Sequence, residues 1–107
     1  MPIPVRLEVE PEPLPDDIAT TVYYVTSEAI ANAVKHADAT RIDVRIARSD
    51  GRVEVRIADD GRGGATVSAG SGLAGLGDRV SAIGGALALD SNDGRGTIVE
   101  AVVPCGS

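Results

Sequence analysis

Three polar residues that could bind a metal ion and a phosphate recur at helical spacing in the first third of the chain. Glu28, Asn32 and Lys35 are separated by four and three residues, so a helix places them on one face, one turn apart. Carboxylate and amide oxygens suit Mg²⁺, and a lysine ammonium suits a phosphate oxygen. Without the rest of the chain, an ordinary solvated helix face is the simpler interpretation of this triplet.

Glycine-rich segments follow at three places where the backbone could approach a ligand. Residues 59–63 (Asp-Asp-Gly-Arg-Gly) end a strand pattern, and Asp59 could accept a hydrogen bond from an exocyclic amine. Residues 70–76 (Gly-Ser-Gly-Leu-Ala-Gly-Leu) open a helix pattern, whose N–H groups form a natural phosphate cradle. Residues 94–97 form a turn that ends in the hydroxyl of Thr97. Each segment alone could also be an ordinary turn or linker.

Hydrophobic periodicity predicts the elements that position the first of these groups. Residues 5–10 alternate apolar and charged side chains, which predicts a half-buried strand. Asp16 is a plausible N-cap for an amphipathic helix that runs to about residue 37. The apolar row of this helix is Ile18, Val22, Val25, Ala29 and Ala33.

The second half of the chain predicts a sheet and one more helix. Residues 42–48 and 53–57 alternate on either side of a Ser-Asp-Gly turn, which is typical of a β-hairpin. A helix that Gly84 and Gly85 end, a short strand near 87–89 and a last strand at 97–103 follow. The order β-α-β-β-α-β-β predicts an α+β sandwich, a mixed or antiparallel sheet with helices on one face.

Composition limits how this chain could bind an anion. The net charge is −6, with 13 glycines and no Phe or Trp, so neither nucleic acid nor an anionic membrane is an expected partner. A single cysteine excludes an internal disulfide. The sequence has neither a signal peptide nor an apolar run long enough for a membrane helix, so we expect a cytoplasmic domain, with a parent protein that could be membrane-anchored.

The order and spacing of these motifs resemble the GHKL ATPase superfamily, which includes gyrase-type topoisomerases, Hsp90, MutL and histidine kinases. Residues 27–37 (Ser-Glu-Ala-Ile-Ala-Asn-Ala-Val-Lys-His-Ala) are similar to the N box of sensor histidine kinases. Residues 72–85 resemble the subgroup that partners LuxR-type response regulators. The resemblance implies a two-layer α/β sandwich of the Bergerat fold, with residues 1–107 as one ATP-binding domain and 64–72 as a short ATP lid.

The resemblance also implies a role for each motif residue. Asn32 would coordinate Mg²⁺, Glu28 would orient a water or the metal shell, and Lys35, with His36, would contact phosphate. Asp59 would bind the adenine amino group, directly and through a water shared with Thr97. Gly61 and Gly63 would let the backbone pass close to the base, and Gly70 and Gly72 would be hinges of the lid. The backbone N–H groups around Leu73, Gly75 and Leu76 would hold the phosphates.

A histidine kinase of this kind transfers the γ-phosphoryl of ATP to a histidine on a separate dimerisation domain. The single histidine here, His36, lies in the N box, so we expect no autophosphorylation by the isolated domain, and a monomeric state. The expected partners are therefore ATP, that dimerisation domain and, indirectly, a LuxR-type response regulator. Two alternatives stay open: an anti-sigma-factor-type Ser/Thr protein kinase, and a degenerate, non-catalytic module that binds adenine nucleotides.

Overall fold

The computed structural model describes residues 5–9, 14–36, 40–61, 72–91 and 96–104. These residues form two helices and five strands, which follow one another in the order that the sequence predicts. Their bounds are β1 Val5–Val9, α1 Asp16–His36, β2 Ile42–Ser49, β3 Arg52–Asp59, α2 Gly72–Ala82, β4 Ala86–Ser91 and β5 Thr97–Pro104. No helix among these residues is long and apolar enough to cross a membrane.

The five strands form one mixed sheet in the order β1-β2-β3-β5-β4. β1 runs parallel to β2, and each of the other neighbouring pairs is antiparallel. The predicted hairpin is confirmed: β2 and β3 are joined by Asp50 and Gly51, which both have positive φ, at 53° and 74°. Two central residues with positive φ give the turn that matches the right-handed twist of paired strands.

The hydrophobic core lies between one face of the sheet and the two helices. The alternating apolar residues of β3 and β5 that face it are buried, as are the predicted apolar row of α1 and, on α2, Leu76 and Val80. On β2, Ile42 and Val44 are buried and Ile46 is partly buried. α1 packs mainly on β2, β3 and β5, while α2 packs on α1 and β4. This arrangement confirms the predicted α+β sandwich, and the sheet is mixed.

The two helix ends differ in how well the sequence predicted them. α2 ends in a Schellman motif, in which Gly84 N donates to Ser81 O at 3.0 Å and Gly85 N to Val80 O at 2.9 Å. At the start of α1, Asp16 is already helical, and Oδ1 of Asp17 accepts the hydrogen bond of the Ile18 N–H. The Ala19 N–H donates to the Pro15 carbonyl oxygen at 2.8 Å, so Pro15 holds the N-cap position and the predicted N-cap, Asp16, is the first helical residue.

The prediction of a half-buried first strand is wrong, because all five residues of β1 are exposed. Val5, Leu7 and Val9 keep 41%, 62% and 55% of their surface accessible. In register they extend the core-facing rows of β2, with Leu7 opposite Val44. β1 is an edge strand beyond the strands that the helices mainly cover, so its correct alternation leads to no burial.

Candidate functional site

Asp59 lies at the last position of β3, directly opposite Thr97 at the first position of β5. Side chains alternate between the faces of a strand, and Asp59 shares a face with the buried residues Val55 and Ile57. Thr97, which is 6% exposed, likewise shares a face with Val99. The carboxylate and the hydroxyl are therefore paired at one end of the sheet, on the side that carries the helices.

The turn after β3 fixes the backbone around Asp59. Oδ1 of Asp59 accepts the backbone N–H of Gly61 at 2.8 Å, which is the geometry of an Asx turn. Gly61 is buried, and Gly96 packs so closely that a Cβ built on it would overlap the Asp59 carbonyl oxygen. Gly96 also has φ of 85°, a conformation that glycine adopts without strain. Glycine at position 96 thus allows β5 to begin beside Asp59.

Asp60 was not among the predicted site residues, yet it anchors this end of the sheet. Its Oδ1 accepts the backbone N–H groups of Thr40 at 2.7 Å and Arg41 at 2.9 Å, and its Oδ2 accepts the Thr40 hydroxyl. These hydrogen bonds, that of the hydroxyl first, lower the pKa of Asp60 from its ordinary value to about 2. The side chain therefore ties the residues before β2 to the turn that holds Asp59. Its partners lie about twenty positions earlier, so local sequence gave no signal for this role.

Glu28 and Asn32 lie on α1 at the edge of the core, as their spacing predicts. Both residues are half-buried, and their neighbours Ala29 and Ala33 belong to the buried row. The Nδ2 atom of Asn32 is buried and has no hydrogen-bond partner among the described residues. A buried amide N–H group without an acceptor is costly, so the Nδ2 atom of Asn32 is suited to donate to an acceptor that is not among the described residues.

The predicted phosphate-binding residues fall on two helix ends. Lys35 and His36 are the last two residues of α1, and Gly72 is the first residue of α2. One turn into α2, Gly75 is exposed, and a Cβ built on it would meet no atom within 4 Å. Leu76 is 2% exposed and belongs to the core.

Part of the predicted site lies outside the described residues. This applies to Gly63 and Gly70, to residues 64–71 of the predicted lid, and to the side chains of Lys35, His36 and Leu73. What the structure does bring together is the Asp59–Thr97 pair with Gly61 and Gly96 at the end of the sheet. Glu28 and Asn32 lie on the helix that packs over the same face.

The side-chain oxygens that α1 offers suit a magnesium ion that is also bound by the phosphates of a substrate. Within the described ranges no three His, Cys, Asp or Glu side chains converge as a metal-binding group. Mg²⁺ is often held by one or two protein oxygens together with substrate phosphates and water. A carboxylate at position 28 and an amide at position 32 are chemically suited to such a shared shell.

Comparison with known families identifies the class of protein to which this fold and site belong. Residues 17–107 match the family described as histidine kinase-, DNA gyrase B-, and HSP90-like ATPase. The match includes α2, α1 apart from its first residue, four of the five described strands and every residue of the predicted site. The chain belongs to this ATPase family.

Two curated relatives of this chain are sensor histidine kinases. It is 30% identical over 93 residues to the sensor histidine kinase YxjM of Bacillus subtilis, covering 87% of this chain and 23% of the relative. It is 33% identical over 93 residues to the oxygen sensor histidine kinase NreB of Staphylococcus carnosus, covering 83% and 27%. The chain is thus homologous to the ATPase domain of sensor histidine kinases and spans about a quarter of these two proteins.

Solved structures agree with this assignment. The histidine kinase domain of the Erythrobacter litoralis EL346 blue-light activated histidine kinase is similar with a TM-score of 0.84 and 25% identity, over 96% of this chain and 52% of that one. The mycobacterial sensor histidine kinase MprB is similar with a TM-score of 0.74 and 27% identity, over 95% and 81%. The predicted fold and family are both confirmed.

Proposed function

We propose that this chain is the ATP-binding catalytic domain of a two-component sensor histidine kinase. In this role it would transfer the γ-phosphoryl of ATP, with Mg²⁺, to a histidine on a separate dimerisation domain. The observation that carries the proposal is the Asp59–Thr97 pair on the helix-covered face, which offers a carboxylate and a hydroxyl side by side. An exocyclic amine needs such an acceptor, and the family is one of ATPases.

Each part of the site has a proposed task. Asp59 accepts a hydrogen bond from the adenine amino group, and Thr97 shares a water with it. Because Oδ1 of Asp59 accepts the Gly61 N–H at 2.8 Å and Gly96 packs on the Asp59 main-chain carbonyl, the carboxylate is held in one orientation before the base arrives. Adenine recognition then selects ATP over nucleotides whose bases lack that amine.

Glu28 and Asn32 form the proposed metal side of the site. Asn32 would provide an oxygen to Mg²⁺, and Glu28 would orient a water of its shell. The metal would neutralise charge on the phosphates, and phosphoryl transfer depends largely on such neutralisation and on positioning. Lys35, with His36, would contact phosphate, and backbone N–H groups at the start of α2 would hold the remaining oxygens. These local devices suit a chain whose net charge of −6 repels anions at long range.

The two alternatives are less well supported. An anti-sigma-factor-type Ser/Thr kinase shares the superfamily, but the relatives reported above are sensor histidine kinases. A degenerate module that binds adenine nucleotides would also use Asp59, but it would have no need for a carboxylate at position 28 and an amide at position 32 that suit Mg²⁺. The histidine kinase function is therefore preferred.

The proposal includes partners that the domain itself does not contain. The phosphoryl acceptor would be a histidine on the dimerisation domain of the parent protein, and a LuxR-type response regulator would receive the phosphoryl group from it. We place the domain in the cytoplasm, where ATP is available, and expect it to be monomeric when isolated.

Nucleotide-dependent stabilisation tests the binding function directly. The melting temperature should rise with ATP and ADP, because a ligand of the native state stabilises it in proportion to the logarithm of its concentration. GTP should have no effect, and Mg²⁺ should increase the shift for ATP. Equal shifts with GTP and ATP would contradict adenine recognition by Asp59.

Phosphoryl transfer requires a second experiment with the acceptor supplied separately. The domain is incubated with γ-labelled ATP, Mg²⁺ and the helical dimerisation domain of its parent protein. We expect slow labelling that is lost in acid, as phosphohistidine is. Label that is stable to acid but lost in base would instead favour the Ser/Thr kinase, and no label at high concentrations would contradict transfer.

A further inference from the structure

An arginine of α2 stacks on a tyrosine of α1 outside the proposed nucleotide contacts. The Cζ atom of Arg79 lies 4.1 Å from the centroid of the Tyr24 ring, within the range of a cation–π interaction. The Tyr23 ring meets Tyr24 edge-on, with centroids 5.8 Å apart and the planes at 71°. Among the described residues Arg79 forms no salt bridge, so the ring is its defined partner.

The stacked residues belong to the helix faces that carry the proposed phosphate and metal groups. On α1, Tyr24 lies one turn before Glu28 and two turns before Asn32, at spacings of four residues. On α2, Arg79 lies four residues after Gly75 and seven after Gly72, again on one face. The stack therefore joins the face of α1 that would bind Mg²⁺ to the face of α2 that would receive phosphate.

The stack opposes a rocking motion that the other described contacts of α2 leave possible. Among the side chains of α2 that the structure describes, from Gly75 onward, Leu76 and Val80 are buried in the core, and because they are four residues apart they lie along a single line of the helix. Gly75 contacts nothing within 4 Å of its would-be Cβ, and Gly77 would reach only Leu87 Cδ2 at 4.0 Å. A helix held along one line can rock about it, and Arg79, which lies off that line, opposes the rocking.

We propose that Arg79 and Tyr24 form a positioning pair that sets the location of the α2 N-terminus relative to Glu28 and Asn32. The inference rests on the proposed function, because it concerns how the same nucleotide is held. The pair touches no substrate atom and acts through the helix that it fixes. It therefore affects the binding of the phosphates and leaves the binding of the adenine base unchanged.

A double-mutant cycle on the full chain tests this pair. Arg79→Met keeps the length of the side chain without its charge, and Tyr24→Leu removes the ring. We expect each to weaken Mg·ATP binding about two- to fivefold, the range that a cation–π interaction at an exposed site allows. The double variant should be no weaker than either single one. Arg79→Lys and Tyr24→Phe, which keep a cation and a ring, should bind nearly as the original chain does.

Adenosine, which has the base but no phosphates, distinguishes a positioning role from a purely structural one. A purely structural defect would weaken the binding of adenosine and of Mg·ATP alike. Its affinity, measured by NMR titration, should be the same in all these variants, while calorimetry reports the loss for Mg·ATP. Arg52→Met, which replaces an exposed arginine at the start of β3, is the matched control and should change neither affinity. Thermal unfolding without nucleotide checks that each variant is folded.

Three results would overturn the inference. The first is that the losses of Mg·ATP affinity caused by Arg79→Met and Tyr24→Leu add in the double variant. The second is that these losses are no larger than that caused by Arg52→Met. The third is that the two substitutions weaken the binding of adenosine as much as the binding of Mg·ATP. In each case the proposed function would stand, since the original chain would still bind ATP. Failure of the original chain to bind ATP would instead remove both the proposed function and this inference.

Discussion

Gly96 lies against the main-chain carbonyl of Asp59 so closely that no side chain can fit between them. The contact joins the residue before β5 to the last residue of β3, where the adenine acceptor is proposed. Glycine is therefore required at position 96 for two reasons: the contact leaves no space for a side chain, and φ there is 85°. The shape of the proposed site is therefore determined by backbone as much as by side chains.

Gly96→Ala should destabilise the domain by about 1–3 kcal/mol, because the new methyl group overlaps the Asp59 carbonyl and the backbone is held at a positive φ. Urea unfolding measures the change. Gly77→Ala is the matched control, because Gly77 lies inside α2 with its nearest neighbour at 4.0 Å. Alanine there should stabilise the helix by about 0.5–1 kcal/mol. A Gly96→Ala variant as stable as the original chain would contradict the described contact.

Asp59→Asn should weaken ATP and ADP binding by a similar factor, about tenfold to a hundredfold, as expected for loss of a hydrogen bond to a charged acceptor. Both nucleotides are affected because both present the same adenine. Isothermal titration calorimetry measures the two affinities. Asp50→Asn in the hairpin turn removes a carboxylate at the far end of β2 and serves as the control. Unchanged affinity for both nucleotides would remove the role assigned to Asp59.

Local periodicity was enough to predict most elements of this fold. The apolar row of α1, from Ile18 to Ala33, is buried as predicted, because an amphipathic helix has one face to cover. The hairpin and the end of α2 also follow from local chemistry, since Gly51 and Gly84 adopt positive φ where the chain must turn. These features depend on residues a few positions apart.

Features that depend on distant parts of the chain were not predictable in the same way. The alternation of β1 is that of a covered strand, but Leu7 is exposed because β1 lies at the sheet edge. Asp60 accepts a hydrogen bond from the backbone N–H of Thr40, which lies 20 positions earlier in the sequence. The motifs predicted that Asp59 and Thr97 belong to one site, whereas their direct pairing follows from the register of β3 with β5.

Asp60→Asn should make the domain less stable at neutral pH, and the difference from the original chain should disappear in acid. The pKa of Asp60 is lowered from 3.8 to about 2 in the folded state, because the ionised carboxylate accepts hydrogen bonds from Thr40 and Arg41. A lowered pKa contributes stability that is present above the unfolded value and lost as the pH falls through the folded value. The two melting temperatures should therefore converge between about pH 4 and pH 2.

The control for this pH dependence is Asp50→Asn, which removes one carboxylate and leaves the hydrogen bonds of Asp60 intact. Its melting temperature, measured across the same range, separates the loss of these hydrogen bonds from the loss of one negative charge. A constant difference between the Asp60→Asn variant and the original chain from pH 7 to pH 2 would show that ionisation of Asp60 does not stabilise the fold.

Asn32→Ala should abolish the effect of Mg²⁺ on ATP binding and leave the fold intact. The amide oxygen is the proposed metal ligand, so its loss should weaken binding of Mg·ATP about tenfold or more, while binding of ATP in EDTA stays the same. Stability should be unchanged or slightly higher, because alanine favours the helix and removes a buried Nδ2 atom that lacks a partner among the described residues. Calorimetric titrations with and without Mg²⁺ measure the affinities, and Thr20→Ala on the exposed side of α1 is the control. Full magnesium dependence in Asn32→Ala would contradict its assignment as a ligand.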